Sequence, residues 1–245
     1  MTKISIITVS YNAQDTIEQT IRSVLEQTLP PFEYIIKDGG SSDDTVKIAE
    51  KFAPDFEQRR IRYRIVSEKD DGIYDAMNQG IRLAEGDVIG MINADDWYEP
   101  VALERVSDAM QEEPFDLLYA ELRMWKDEKK SFVKRARNRR YATSRDWNHP
   151  TTFITREMYG KYQYRNETIH DDYDLILRMK KDHVRIRVIH EVLANFRMNG
   201  VSHERNLKAA IKRGRIKYGI YRRNGYSPFY AIECYGVELA KLIIG

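Results

Sequence analysis

Only one cysteine, Cys234, stands among the 245 residues. A lone thiol excludes a disulfide within the chain and suits a reducing compartment. Long apolar runs are missing as well. Nothing approaches the roughly 20 residues needed to cross a bilayer, and the most apolar part of the tail, Phe229 to Ile244, is interrupted by Glu233, Glu238 and Lys241. The chain enters an apolar run at Ile4 to Val9 without a charged leader, so no signal peptide is expected and a cytoplasmic location is. Excess charge of one sign is absent too: a net charge of +2 makes no electrostatic case for nucleic acid. There is no G-x-x-x-x-G-K-[ST] loop, and no G-x-G-x-x-G after the first strand, which argues against an ATPase or a nicotinamide-dependent enzyme. What remains is a globular chain, 42% apolar and 32% charged, long enough to bury a large core.

The first half alternates strand-like and helix-like segments. Lys3 to Ser10 reads as a strand, Asp15 to Gln27 as a helix with Ile17, Ile21, Val24 and Leu25 on one face, and Phe32 to Lys37 as a second strand. A helix carrying Val46, Ile48, Ala49 and Phe52 follows, then a strand at Ile61 to Ser67 and a helix on which Ile73, Met77 and Ile81 recur. Val88 to Ile92 reads as a buried strand, Glu99 to Glu112 as a helix and Phe115 to Trp125 as another strand. This alternation predicts an α/β fold with a mostly parallel, Rossmann-like sheet, helices on both faces and right-handed crossovers. Each early strand ends in polar residues: Tyr11-Asn12, Asp38, Glu68 to Asp71, and Asp95-Asp96. All four clusters therefore belong to one edge of the sheet, the edge where such folds bind ligands.

Asp95-Asp96 is the centre of that pattern. Two adjacent carboxylates at a strand end repel one another unless a divalent cation or a sugar hydroxyl sits between them. The plain alternative is a solvated turn that caps the next helix, with Pro100 as its first residue.

The second half has a different character. Lys126 to Arg145 is strongly basic, Thr151 to Thr155 is β-like, Tyr159 to Thr168 reads as loop, and Asp171-Asp172-Tyr173-Asp174 opens a helix with acids where its dipole favours them. Val184 to Phe196 is strand-like. Glu204 to Arg223 is basic and helical, with Ile211, Ile216, Tyr218, Ile220 and Tyr221 between the charges, a pattern suited to an anionic membrane surface. The last helix, from Phe229, could instead close a homodimer. Asp174 and Arg178 are spaced for a structural ion pair, and Met77 and Met91 read as core.

ISIITVSYN, IIKDGGSSDDT, SEKDDGIYDAMNQGI and GDVIGMINADDWY, in that order and spacing, resemble glycosyltransferase family 2. The resemblance covers Lys3 to about Ser202 and implies the GT-A fold: a nucleotide-sugar-binding half over 1–125, an acceptor-binding half over 126–203, and here a C-terminal helical extension over 204–245. It further implies one-sugar transfer from a nucleotide-sugar, a UDP-sugar first, with Mn²⁺ or Mg²⁺ as cofactor. The acceptor would be a glycan or an undecaprenyl-diphosphate-linked oligosaccharide in bacterial O-antigen, capsule or exopolysaccharide synthesis. Polyprenyl phosphate as direct acceptor, or a non-catalytic membrane-associated partner protein, are the alternatives.

Position by position, the resemblance makes Asp38 the residue that bonds the base. Tyr11 and Asn12 become nucleotide-side contacts, and Asp71 part of the nucleoside and donor-sugar pocket. Asp95 falls near the ribose and metal, with Asp96 as the foremost metal ligand and His203 as a third ligand or a diphosphate contact. Asp172 is the catalytic base. Asp171, Trp147 and His149 fall at the acceptor site, a packed core role being the alternative for the last two. Asn93 departs from the family pattern where many relatives carry an aspartate.

Overall fold

The structure, a computed structural model, describes residues 2–198 and 207–244, with side chains as far as residue 240. The chain begins with β1 (Ile4–Ser10), α1 (Ile17–Leu25), β2 (Glu33–Asp38), the short helices α2 (Thr45–Glu50) and α3 (Ala53–Gln58), and β3 (Arg62–Ser67). It continues through α4 (Ile73–Leu83), β4 (Val88–Asn93), β5 (Trp97–Tyr98), α5 (Ala102–Glu112), β6 (Leu117–Trp125) and β7 (Ser131–Lys134). After a 3-10 turn at His149–Thr151 come β8 (Phe153–Thr155), α6 (Arg156–Lys161), α7 (Asp171–Lys181), β9 (Ile186–Arg197), α8 (Leu207–Arg223) and α9 (Tyr230–Ile244).

Among the described residues, one sheet runs β3-β2-β1-β4-β8-β6-β9-β5, with β7 paired to β6. Every residue of β1 and of β2 is buried, as expected of parallel strands covered on both faces. Alternate side chains feed two cores. Ile7, Val9, Ile35 and Met91 join Met77 of α4 on one face, while Ile4, Ile6, Tyr34 and Ile92 join Ile17 and Ile21 of α1 on the other.

The sheet is parallel from β3 to β4. Beyond β4 it becomes mixed, because β8 enters from the 3-10 turn without a crossover helix and lies antiparallel to both β4 and β6. Two strands carry no sequence signal. β5 is two residues that pair with β9, and β7 is a four-residue hairpin partner of β6 inside the basic stretch. The segment expected as loop from Tyr159 begins inside α6, whose first turn is capped by the Thr155 hydroxyl.

The C-terminal helices pack into the body of the protein. Ile220, Tyr221, Tyr230 and Cys234 belong to the same core as Met77, and Ile216 and Tyr218 pack against it. Most of the apolar face that the sequence offered to a membrane is therefore already covered. Glu238, 1% exposed on α9, bonds Lys217 at 2.6 Å and Arg213 at 2.7 Å on α8. No helix among the described residues is long and apolar enough to cross a membrane.

Gly90 of β4 leaves the space that Phe153 of β8 fills. A Cβ there would stand 2.4 Å from the Phe153 ring and 3.1 Å from Ile6. Gly90→Ala is expected to destabilise the protein by about 1–3 kcal/mol through overpacking, read from a urea unfolding curve with an unchanged slope.

Candidate active site

Three strand ends are tied together by one carboxylate. Asp38, at the end of β2 and 1% exposed, accepts hydrogen bonds from Ser10 Oγ at 3.1 Å, Ser41 Oγ at 2.5 Å, Ser67 Oγ at 2.7 Å, Gly40 N at 3.0 Å and Ser41 N at 2.8 Å. Ser10 ends β1 and Ser67 ends β3, so the carboxylate fixes the edge of the sheet where the ligand loops begin. Burial pushes its pKa up, but the bonds from Ser41, Ser67 and Ser10 outweigh that and leave it below the ordinary value. A carboxylate offers about four lone-pair sites, and all are committed here. Asp38, expected to bond a nucleotide base, here shapes the loop and spends its lone pairs on these five donors.

Around this anchor, Asn12 stitches the β1 and β2 loops together. Its backbone N–H donates to Ser41 Oγ at 2.8 Å, its side-chain oxygen accepts from Ser42 N at 2.9 Å, and it takes a positive φ of 49° to do so. Tyr11 is 67% exposed beside it. Lys37 is wholly buried under the same loops, its Nζ donating to the carbonyls of Asp38 at 2.8 Å and Glu68 at 2.6 Å. Asp71 is exposed; its backbone N–H donates to Asp75 and its carbonyl accepts from Asn166.

At the end of β4 the two carboxylates differ in kind. Asp96 is 0% exposed: its carbonyl accepts from Thr20 Oγ1 at 2.6 Å, its Oδ1 from Arg197 N at 3.3 Å, and its Oδ2 has no hydrogen-bond partner among the described residues. Burial, then the neighbouring Asp95 charge, push its pKa well up. Asp95 keeps some exposure, and burial raises its pKa as well, against the pull of Arg197. Arg197, at the end of β9, holds the turn by donating from Nε to the Asp95 carbonyl at 3.0 Å and from Nη2 to Gln19, with its guanidinium over the Trp97 ring. The turn is therefore not a freely solvated helix cap, and α5 starts later than the sequence suggested, with Val101 as its N-cap.

The other Asp-Asp pair, at the start of α7, is divided in the same way. Asp171 is 0% exposed and accepts from Glu167 N, Thr168 N and Thr168 Oγ1. It holds the preceding turn. Asp172 is partly exposed, its Oδ1 accepting from the backbone N–H of Tyr173 at 2.7 Å. The Tyr74 phenol, stacked on Tyr164 and bonded to the Ile169 carbonyl, feels the Asp172 charge: burial first, then that charge, drive its pKa far up. His149 lies in the same group; burial lowers its pKa and Asp172 opposes the shift, so its imidazole is neutral near pH 7. Trp147 is 7% exposed, donates to Thr152 Oγ1 at 2.7 Å and meets His149 edge-on at 5.9 Å, so it supports the histidine from behind.

His203 lies outside the described residues. Lys37, Arg197, Tyr74 and Tyr164 were missed by sequence reasoning, because a lysine in a strand or an arginine at a strand end carries no pattern of its own. Among the described residues no group of three or more His, Cys, Asp or Glu could hold a metal by itself. The end of β4 nevertheless collects Asn93 Oδ1 and Asp96 Oδ2, both buried without hydrogen-bond partners among the described residues, next to the Asp95 carboxylate. These are hard oxygen donors of the kind Mg²⁺ and Mn²⁺ take when a diphosphate and water complete the shell.

The arrangement, an α/β sheet with ligand loops on one edge and carboxylates ending β4 and opening α7, is that of a GT-A fold. The chain aligns with S. aureus TarS residues 1–349 in complex with UDP at a TM-score of 0.67 and 15% identity, covering 99% of this chain and 72% of that one. It aligns with mannosyltransferase PcManGT from Pyrobaculum calidifontis, in complex with GDP-Man and Mn²⁺, at 0.68 and 15%, covering 100% and 76%. Residues 5–184 match the family described as Glycosyl transferase family 2, and the chain belongs to that family. A PGL/p-HBAD biosynthesis glycosyltransferase of Mycobacterium bovis is 40% identical over 122 residues, 49% of this chain and 46% of that protein. Chondroitin synthase of Escherichia coli is 34% identical over 110 residues, 45% and 16% respectively. The chain thus spans less than half the length of these two relatives.

Asp38→Asn should weaken the fold by about 2 kcal/mol or more, because donors that converge on a charged acceptor lose it. With a folded pKa below the unfolded value of about 4, the carboxylate contributes fully above that value and loses its contribution as pH falls through the folded pKa. The gap between wild type and variant should therefore be widest near neutral pH and narrow in acid, as measured by urea unfolding from pH 7 to pH 3.

Proposed function

We propose that the chain is the catalytic domain of an inverting, metal-dependent glycosyltransferase. It moves one sugar from a nucleotide-sugar, UDP-linked in the first instance, to a glycan or lipid-linked acceptor in bacterial polysaccharide synthesis. The observation that carries this reading is the division within the two Asp-Asp pairs: in each, one carboxylate is buried in the scaffold and the other, Asp95 or Asp172, keeps access to solvent. One open carboxylate ends a strand at the ligand edge, and the other opens a helix beside a neutral histidine.

In this reading Asp172 accepts the proton of the acceptor hydroxyl while that oxygen attacks the anomeric carbon and the bond to the leaving diphosphate breaks. The Tyr173 N–H fixes one carboxylate oxygen and leaves the other for the proton. His149, neutral, offers the acceptor a hydrogen-bonding edge. Attack opposite the leaving group inverts the anomeric centre without a covalent intermediate. A Mg²⁺ or Mn²⁺ held by Asp95, with Asn93 and Asp96 beneath it, would offset the charge of the leaving diphosphate. Asp95 takes the foremost place expected of Asp96, since it alone of the pair retains exposure. The nucleotide half over 1–125, the acceptor half over 126–203 and the extension from 204 are kept as working boundaries.

A lipid-linked acceptor would bring the enzyme to a membrane surface. The residues still available for that contact are Phe229 and Ile232, each 76% exposed, together with Lys208, Lys212 and Arg215, exposed on α8. Co-sedimentation with anionic liposomes is the expected outcome. A dimer in sedimentation without liposome binding would assign this face to self-association instead.

Calorimetry should detect UDP binding that strengthens with Mn²⁺ and loses that enhancement in Asp95→Ala. Asp172→Asn should keep donor binding and lose transfer by about 10²–10⁴-fold, read as nucleotide released from a UDP-sugar panel with acceptor present. Equal loss of donor binding in Asp172→Asn would remove it from the role of base.

A further inference from the structure

Because Asp38 is saturated, the carboxylate that meets a nucleotide base must come from elsewhere, and the geometry points to Asp70. We infer that Asp70 reads the base of the donor and selects a pyrimidine carrying a proton on N3, uracil or thymine. This rests on the nucleotide-sugar reading above and deepens it.

Gly39, next to Asp38, has no side chain, and the room is taken by another residue. A Cβ on Gly39 would lie 2.7 Å from Asp70 Oδ2, 3.3 Å from Asp70 Cγ and 3.4 Å from Tyr11 Cδ2. The Asp70 carboxylate and the Tyr11 ring thus meet over the glycine backbone. The Tyr11 ring is exposed and can stack on a base, while the Asp70 side chain is 14% exposed and presents an acceptor at the ring's edge. The two carboxylate oxygens are not equivalent. Oδ1 accepts from Gly72 N at 3.0 Å. Among the described residues Oδ2 meets only the Lys37 ammonium, at 3.8 Å, and keeps lone pairs to spare.

One free acceptor oxygen sets the selectivity. The N3–H of uracil or thymine is a single donor and suits it. Guanine presents N1–H and N2–H₂ side by side and needs both oxygens, one of which Gly72 already holds. Cytosine has a lone pair at N3 and would face the carboxylate acceptor to acceptor. Asp71, the neighbour favoured by the sequence, is exposed and has no such contact with the β1 and β2 loops.

The Gly72 bond also determines what an amide would do at this position. In Asp70→Asn the side-chain oxygen keeps the Gly72 N–H, and the NH₂ group takes the place of Oδ2. A donor then faces the base, mismatched to uracil and matched to cytosine. Calorimetry or competition with UDP, TDP, CDP and GDP, each with Mn²⁺, tests this on the whole chain. Wild type is expected to bind UDP or TDP at least tenfold tighter than CDP and GDP, the UDP and TDP arms separating the two pyrimidines. Asp70→Asn should lose about tenfold for UDP and gain for CDP, and a gain cannot come from misfolding. A parallel loss for UDP and CDP, an unchanged UDP affinity, or a wild-type preference for GDP would each overturn the assignment while leaving the donor reading intact. Failure of wild type to bind any of the four would overturn the donor reading itself, and this assignment with it.

Discussion

The geometry of this site depends on one buried carboxylate. Asp38 draws the ends of β1, β2 and β3 onto one point through three hydroxyls and two backbone N–H groups. A buried charge is costly unless hydrogen bonds surround it, and here the surrounding donors are the loops themselves. Lys37 repeats the device with opposite sign, spending its ammonium on the carbonyls of Asp38 and Glu68. Together they make the ligand edge of the sheet a fixed surface rather than a set of independent loops, and fixed donors and acceptors are what selective binding requires.

The same economy governs the acids. The sequence contains Asp70-Asp71, Asp95-Asp96 and Asp171-Asp172, and the fold separates the members of each pair. Asp96 and Asp171 are drawn inside, Asp96 beneath Arg197 and Asp171 over its own turn. In the last two pairs one member anchors backbone and the other keeps access to solvent.

The fold was largely legible in the sequence, because alternating apolar strands and amphipathic helices leave few arrangements of a parallel sheet. β5 and β7 escaped notice: two and four residues are too short for a period, and both are strands only because β9 and β6 are their partners. The site was legible as a set of positions. Which carboxylate within a pair would be buried was not, since Asp95 and Asp96 read alike in one dimension and are told apart by Thr20 and by Arg197, about a hundred residues distant. How much of the basic tail would be buried was not legible for a related reason. Its apolar residues have the spacing of a surface helix, but Tyr221 is taken up by Tyr173 at 2.7 Å and by a ring stack with Tyr230.

Asp174, two residues beyond the open Asp172 on α7, is fully buried and shared. Arg165, just before α7, and Arg178, on α7 itself, reach it from one side, and Arg223 and Asn224, at the end of α8, reach it from the tail. A buried anion stripped of its cations is among the costlier defects a protein can carry. The helix bearing Asp172 and the C-terminal helices are therefore joined through one shared buried charge. Exchange of the tail alone would leave this carboxylate with Arg165 and Arg178 but without Arg223 and Asn224, so a change at the end of α8 is felt on the helix that carries Asp172.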